Sequence, residues 1–431
     1  MPIFGCVADD FTGASDAASF LVKGGMSVQL FNGIPAKESR IAEGIQAIVI
    51  ALKSRTQDTG EAVADTMRSL GWLKEQGVEK FYLKYCSTFD STPEGNIGPV
   101  ADAAMEFLGV SYTVLCPALP VNGRVVRNGE LYVGGVPLHE SPMKNHPLTP
   151  MWDSRIAGLM KPQSKYPCVE LWEEQMDRPA DEIRAMLTEQ EDRQEHFYVI
   201  PDYRDMEDGE RIVELFGELA LLTGGSGILE PLAKRLSSRQ EMLPELDIQA
   251  EGSAILLAGS CSKATLGQID YFRAHGGLSY KMDPVAMLEG RETLEDAWKF
   301  VRENWGIPVL VYSSDTARNV KEVQQYGQER VAEMLEQAAA KLAERAVAHG
   351  IRRVVVAGGE TSGAVTKRLG FSSYQIGASV APGVPVMVPM ENETRRLVLK
   401  SGNFGQEEFF VKVLEMTTSC LVKTIRLFFT V

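Results

Sequence analysis

Short apolar runs bounded by glycine, proline or polar turns alternate along the chain with longer stretches of helical periodicity. This is the pattern of an α/β architecture built on parallel sheets, whose strands are buried on both faces and therefore read as continuous apolar segments. The runs fall into two groups. In the first half "PIFGCVA", "VQLFNG", "AIVIAL", "FYLKY", "YTVLCPA" and "FYVIPD" predict strands; in the second, "SAILLAG", "VLVYS", "RVVVAGG", "VPVMVP" and "RRLVLK" do so. Residues 234–253 between them are polar, contain a proline and keep no period, which predicts a linker. The expected division is a first domain over 1–240, a second over 250–416, and an apolar β-prone tail over 417–431 to which no role is given. Two features depart from the alternation. Asn128-Gly129 between short β-prone runs predicts a hairpin set apart from the parallel sheet, and the Ala-, Glu-, Gln- and Lys-rich stretch 321–350 predicts a long helix stopped at Gly350.

Length supports the division, since 431 residues exceed the roughly 250 to 300 at which single cores stop growing. A composition of 44% hydrophobic and 24% charged residues is that of an ordinary globular protein. The formal net charge of -14 argues against nucleic acid as the main partner, because such binders carry basic stripes, but leaves room for a small anion held locally. No apolar run approaches the roughly 20 residues of a membrane span, so a cytoplasmic protein without a membrane partner is expected. The six cysteines form no C-x-x-C pair and the five histidines are dispersed, so neither a disulfide framework nor a zinc site is indicated.

The residues with chemistry cluster at predicted strand ends. The first strand runs into Asp9 and Asp10, where open α/β sheets place their ligand crevice. Thr12 is expected to cap a helix that begins at Gly13 and stops at Gly24-Gly25. Two adjacent carboxylates repel, so one should rise in pKa unless a cation or donor lies between them. Such a pair can bind a polyol hydroxyl, accept its proton or hold Mg²⁺; acidic helix capping explains it as well. The segment "LKYCSTFDSTPEGNIG" adds Lys84, Ser87, Thr88, Asp90, Ser91 and Asn96, a hydroxyl-rich loop suited to a hydrophilic anion. Lys53 and Arg55 follow "AIVI", and an arginine there can grip a carboxylate bidentately, although a surface ion pair is an equal reading. Gly225 and Ser226 lie in "TGGSGI", whose amides could face an anion.

In the second half "RVVVAGGETSGAVTKRLG" takes a strand through Gly358 and Gly359 into Glu360, Thr361, Ser362 and Gly363 at the start of a helix. Free amides and the dipole of a first helical turn favour phosphate. The segment is neither a Walker A loop nor a G-x-G-x-x-G turn. Gly259-Ser260 repeats the design, and "LVLKSGNFG" ends another strand on Ser401, Gly402, Asn403 and Gly405, so one crevice shared by three strand ends is expected. Ser260-Cys261-Ser262 has no G-x-S-x-G elbow or partner histidine that would make it a nucleophile.

"ADDFTGASDAA" near the start together with "GGETSGAVTKRLG" near the end resembles the four-carbon acid sugar kinases over residues 1 to about 416. Within that family "LKYCSTFDSTPEGNIGPV" and "ELYVGGVPLHESPMKNHPLTPM" look like the 3-oxo-tetronate 4-kinase branch rather than the threonate and erythronate kinases. The resemblance implies an N-terminal acid-sugar-binding domain, a C-terminal nucleotide-binding domain, ATP and Mg²⁺ as cofactors, and an active site in the interdomain cleft; it admits a homodimer. It implies Asp10 as the base for the terminal hydroxyl, with Asp9 in support or the two exchanged. Lys53, Arg55, Lys84, Ser87, Thr88, Gly225 and Ser226 then bind the acid, while Ser260, Gly358 to Gly363, Gly402, Asn403 and Gly405 bind ATP. The Mg²⁺ ligands are not assigned. A phosphoacceptor receiver, which is far shorter, and a D-x-D-x-T phosphatase, whose pattern is absent, fit less well. A non-catalytic sensor of sugar acids and ATP remains the alternative of a different class.

Overall fold

The computed structural model describes residues 2–146, 149–237, 246–315 and 327–419. The chain divides into two compact units, residues 1–244 and 245–431. The first unit carries a parallel sheet of β1 (Phe4–Ala8), β2 (Val28–Asn32), β3 (Ala47–Ala51), β4 (Lys80–Lys84), β5 (Tyr112–Cys116), β9 (Cys168–Leu171), β10 (Phe197–Pro201) and β11 (Leu221–Gly224). Their order is β2-β3-β1-β4-β11-β5-β10-β9, with every pair parallel. Strand β1 lies centrally, in register with both β3 and β4 from Phe4 to Ala8, and all five of its residues are buried. The chain leaves β1 toward β2 on one side and later returns through β3 to β4 on the other. Its carboxyl end is therefore a topological switch point, the place where such sheets open a crevice.

A small antiparallel sheet of β6 (Arg124–Arg127), β7 (Glu130–Val133) and β8 (Val136–Pro137) stands apart from the parallel one. Its first turn is the expected Asn128-Gly129, both residues at positive φ (50° and 74°), as a two-residue hairpin turn of matching twist requires.

The second unit orders β12 (Ala254–Ala258), β13 (Leu278–Lys281), β14 (Val309–Tyr312), β15 (Arg353–Ala357), β16 (Ser373–Ala381), β17 (Val384–Pro389) and β18 (Arg396–Lys400) as β13-β14-β12-β15-β18-β17-β16. The first five positions are parallel; β17 runs antiparallel to both of its neighbours. Strands β12, β15 and β18 are adjacent and in register, Ala258 beside Ala357 and Ala357 beside Lys400. The three glycine turns picked out in the sequence thus leave the sheet side by side.

Several boundaries differ from expectation. The helix after β1 spans Phe11–Lys23 and is capped by Asp10, not Thr12, because the Asp10 side chain reaches the Gly13 amide while its own backbone is still extended. Residues 234–237 of the expected linker complete the helix Leu229–Ser237, and 246–253 pack on the second unit, where Asp247 accepts a hydrogen bond from Arg396; residues 238–245 lie outside the described residues. The long helix is described over Gln328–Ala348, and most of the tail, 420–431, lies outside the described residues. No helix among the described residues is long and apolar enough to cross a membrane.

The helix that carries Asp10 at its start is anchored at its end. There Gly24 abuts the helix Leu229–Ser237 so closely that a Cβ would stand 2.4 Å from that of Ala233 and 2.6 Å from the Glu230 carbonyl. Gly24→Ala is therefore expected to cost about 1–3 kcal/mol by overpacking. Thermal unfolding should show it as a Tm lowered by roughly 2–4 °C per kcal/mol.

Candidate active site

In the first unit the backbone fixes the acids before their side chains act. The Asp9 amide donates to the Lys84 carbonyl at 3.0 Å, and the Arg55 amide donates to the Asp9 carbonyl at 3.3 Å, so the ends of β1, β3 and β4 are tied together. Arg55 then closes on the acids. Its Nε donates to Asp9 Oδ2 and its Nη2 to Asp9 Oδ1, both at 2.8 Å, and the same Nη2 lies 3.0 Å from Asp10 Oδ1. Asp10 Oδ1 also accepts from the Gly13 amide at 2.7 Å. Both oxygens of Asp9 are consequently engaged, whereas Asp10 engages one and keeps about a third of its side chain exposed.

Electrostatics separate the two acids further. Burial pushes the Asp10 carboxyl above the usual aspartate range; Arg55 pulls it back and the Asp9 charge pushes it up again. Arg55 is itself penalised by burial, but Asp9 and then Asp10 outweigh that cost and hold the guanidinium firmly protonated. Arg55, expected to grip a ligand carboxylate, thus spends its bidentate face on Asp9.

The other expected substrate residues fall at different depths. Lys84 is buried behind the pair and donates to the Tyr85 carbonyl at 2.8 Å. Thr88 is buried and donates to Asp90 Oδ1 at 2.6 Å, while Ser87 is half-buried beside Gly225. Gly225 is required by close approach, since a Cβ would stand 2.3 Å from the Pro117 carbonyl, and Ser226 is fully buried with its hydroxyl donated to Asp16. The Gly225 amide donates to the Cys116 carbonyl at 2.9 Å. Lys53 is exposed in a separate open hollow with Asn32 and Asp65, so the structure does not gather it with Asp9 and Asp10. Asn96 ties the 54–57 loop through the Ser54 and Gln57 carbonyls. A cavity of about 40 Å³, lined in part by Asp9, Arg55, Lys84, Asp90, Ser91 and Asn96, has room for water.

Asp16 escaped the sequence reading as a site residue. It is buried one helical turn and a half beyond Asp10, and burial raises its carboxyl against the pull of Lys84 and the Ser226 hydroxyl. Its Oδ1 has no hydrogen-bond partner among the described residues. An aspartate among alanines on the inward face of a helix is the signal that could have found it.

In the second unit the three turns interlock. The Gly259 amide donates to the Ala357 carbonyl at 3.0 Å and the Gly358 amide to the Lys400 carbonyl at 2.9 Å. Gly358 adopts φ 132°, a region only glycine enters readily, and has no side chain to cap the helix Gly359–Leu369 that follows. Gly259 and Gly402 pack against hydroxyls, a Cβ at either standing 2.2 Å from Thr361 Oγ1 or Ser260 Oγ respectively. Above Gly359 and Gly363, by contrast, nothing lies within 4 Å of where a Cβ would be. Glu360 and Asn403 are exposed, Thr361 and Ser362 buried. Gly405 serves a turn at φ 80° whose carbonyl, with that of Phe404, accepts from Gln268 Nε2 at 3.0 Å, which accounts for it without a ligand.

No group of three or more histidine, cysteine or acidic side chains that could hold a metal occurs among the described residues. Mg²⁺ commonly keeps several waters and takes one or two carboxylates together with substrate phosphates. The oxygen-rich donors here suit that mode, with Glu360 the exposed carboxylate beside the open space at Gly359.

Comparison with known proteins finds a family model for each unit. Residues 4–232 match the family model described as a sugar-binding N-terminal domain, and residues 255–410 the one described as a nucleotide-binding C-terminal domain. The chain is 43% identical over 423 residues to a Burkholderia multivorans protein named 3-oxo-tetronate kinase, covering 96% of this chain and 97% of that one. It is 39% identical over 411 residues to a protein of that name from Haemophilus influenzae, covering 95% and 98%. Among solved structures, a Salmonella typhimurium protein described as a putative tRNA synthase aligns with TM-score 0.90 and 37% identity over 97% of this chain and 100% of that one. A Haemophilus influenzae protein aligns with TM-score 0.82 and 38% identity over 96% and 99%. With both domains matched and relatives alike from end to end, the chain belongs to the four-carbon acid sugar kinase family.

Proposed function

We propose that the protein is an ATP-dependent kinase that phosphorylates the terminal hydroxyl of a four-carbon sugar acid, 3-oxo-tetronate being the substrate that its full-length relatives are named for. The single observation that carries the mechanism is the asymmetry of the acid pair: Arg55 occupies both oxygens of Asp9 and one of Asp10. Asp10 is then the base. Its Oδ2 accepts the proton of the 4-hydroxyl as the oxygen attacks the γ-phosphorus and the bond to the ADP oxygen breaks. Asp9 holds Arg55, and Arg55 opposes the rise that burial gives to the proton affinity of Asp10. Lys84 supplies positive charge beneath the substrate, and Ser87 offers a half-buried hydroxyl in the same loop. Glu360 would be the protein carboxylate that holds Mg²⁺, which would supply neutralisation of the phosphate charge.

Phosphoryl transfer asks the protein for alignment and charge neutralisation more than for covalent chemistry. The unpaired amides of the first helical turn after Gly358, with open space above Gly359, fit the phosphates, with Ser260 and Gly402 closing their side; hydrogen bonds to charged groups contribute about 1.5–3 kcal/mol each. The net charge of -14 favours such a local anion site over a polyanion surface, and a cytoplasmic setting is in keeping with an ATP-consuming reaction.

Four outcomes test this reading. A coupled ADP-release assay over 3-oxo-tetronate, threonate and erythronate should give the highest kcat/KM with 3-oxo-tetronate; ligand binding without ADP release for every acid would make the protein a sensor. Asp10→Asn should lower kcat by about 10²- to 10⁴-fold, and near-normal turnover would remove Asp10 from catalysis. The pH profile carries the sign. Activity needs ionised Asp10, so kcat/KM should rise with pH through a midpoint above the ordinary aspartate value, and Arg55→Lys, which weakens the pull on Asp10, should move that midpoint higher. Gly359→Val has space in the fold, so circular dichroism should be unchanged, while affinity for an ATP analogue should fall at least about tenfold as amide contacts are blocked.

A further inference from the structure

The last residue of β18 is a lysine with 1% of its surface exposed. Lys400 Nζ donates to Gly402 O at 2.9 Å, to Thr265 Oγ1 at 3.0 Å and to Ser401 O at 3.1 Å, and lies 5.6 Å from the centre of the Phe409 ring. The Gly402 carbonyl is a meeting point: Ser262 Oγ donates to it at 2.7 Å and Thr265 Oγ1 at 2.9 Å. Ser262 in turn caps the helix Lys263–Ala274, its Oγ accepting from the Thr265 amide. One amine therefore joins the turn after β18 to the turn and helix after β12, two of the three walls assigned above to the nucleotide.

Every acceptor of this lysine is uncharged. The ionisable groups carried by the adjoining turns and helices are Cys261 on the turn after β12, Lys263, Asp270, Tyr271 and Arg273 on the following helix, Glu360, Lys367 and Arg368 on the helix after β15, and Glu407, Glu408, Lys412 and Glu415 around the helix Phe409–Thr417. None of them exerts a resolved pull on Lys400; burial alone acts, and lowers the amine to about 7. An ammonium has three donors and holds all three acceptors. A neutral amine has two and turns a lone pair toward a carbonyl or hydroxyl oxygen, so one strut of the turn is lost.

We propose that Lys400 is a positioning residue whose ammonium form sets the Gly402 turn for the phosphates of ATP, so that nucleotide binding takes up a proton at this side chain. This rests on the nucleotide assignment made above. The phosphates bring the negative charge that the buried amine lacks, and the field raises its proton affinity. Linkage gives the sign: affinity for ATP is greatest where the free protein already carries the proton, and declines as pH rises above about 7. In the ligand-free chain the same depression makes folding stability increase with pH between about 7 and the ordinary lysine value.

The experiment is calorimetric titration of the full chain with a non-hydrolysable ATP analogue and Mg²⁺, from pH 6.5 to 8.5, in buffers of different ionisation enthalpy. The parent protein should bind with proton uptake near pH 8 beyond that of the analogue itself, and its affinity should weaken roughly tenfold across the range. Lys400→Met, which keeps Cys261 and every other titrating group, should bind more weakly at pH 6.5, with no excess uptake and a flat pH dependence. Equal uptake and equal pH dependence in the two proteins would overturn the proposal. So would the absence of excess uptake in the parent alone, a measurement that stands if the variant fails to fold. No binding of the analogue by the parent at pH 6.5 would instead overturn the nucleotide assignment.

Discussion

Two carboxylates on consecutive residues can share a strand end only if a cation is committed to them, and Arg55 is that cation. The rest of the first unit's chemistry depends on how unequally it is shared. A lysine would have met one oxygen of one acid; the planar guanidinium spans both oxygens of Asp9 and still reaches Asp10. The pair is thereby divided into an acid that is fully occupied and one with an oxygen to offer. The partial burial of Asp10 raises its proton affinity and Arg55 limits that rise, so the carboxylate is a better base than a solvated aspartate.

Topology explains why these residues meet at all. Asp9 and Asp10 follow β1, Arg55 follows β3 and Lys84 ends β4, three segments well separated in sequence that the register of one parallel sheet aligns at Ala8, Ala51 and Lys84. The second unit uses the same device, with β12, β15 and β18 delivering their turns at Ala258, Ala357 and Lys400. In both units the sheet contributes geometry and the turns contribute donors, so each residue is placed by hydrogen-bonded register rather than by a long loop.

Much of this was legible in the sequence, for identifiable reasons. Strands buried on both faces are continuous apolar runs, which made β1 to β5, β10, β12, β14, β15, β17 and β18 readable. Edge strands β9 and β13, the short β11, and β16 with its alternating "SYQIGASVA" offer no such run, and they were missed. The acid pair and the glycine turns were visible because residue type and strand end coincide. What the sequence could not carry was partner choice. Arg55 looked free to hold a ligand and is bound to Asp9; in the glycine loop the Gly225 amide donates to the Cys116 carbonyl and the Ser226 hydroxyl to Asp16. Lys400 stood within a quoted strand and was read only as its last residue, since nothing local says that its amine turns inward.

On the function and inference proposed above, the two units solve opposite problems of charge. The first must keep a carboxylate ready for a proton, and surrounds it with a cation at close range. The second must receive a highly charged anion in a chain of net charge -14, and lines the place with amides and hydroxyls and a single buried amine. A permanent cluster of cations there would serve binding but would have to be paid for in the empty protein by desolvation without compensation. An amine that burial leaves close to neutral avoids much of that cost until the phosphates arrive. Arginine cannot play this part, because it does not give up its proton. The choice of arginine beside the acids and lysine beneath the glycine turns thus follows from one distinction: the first cation must never change state, and the second is useful because it can.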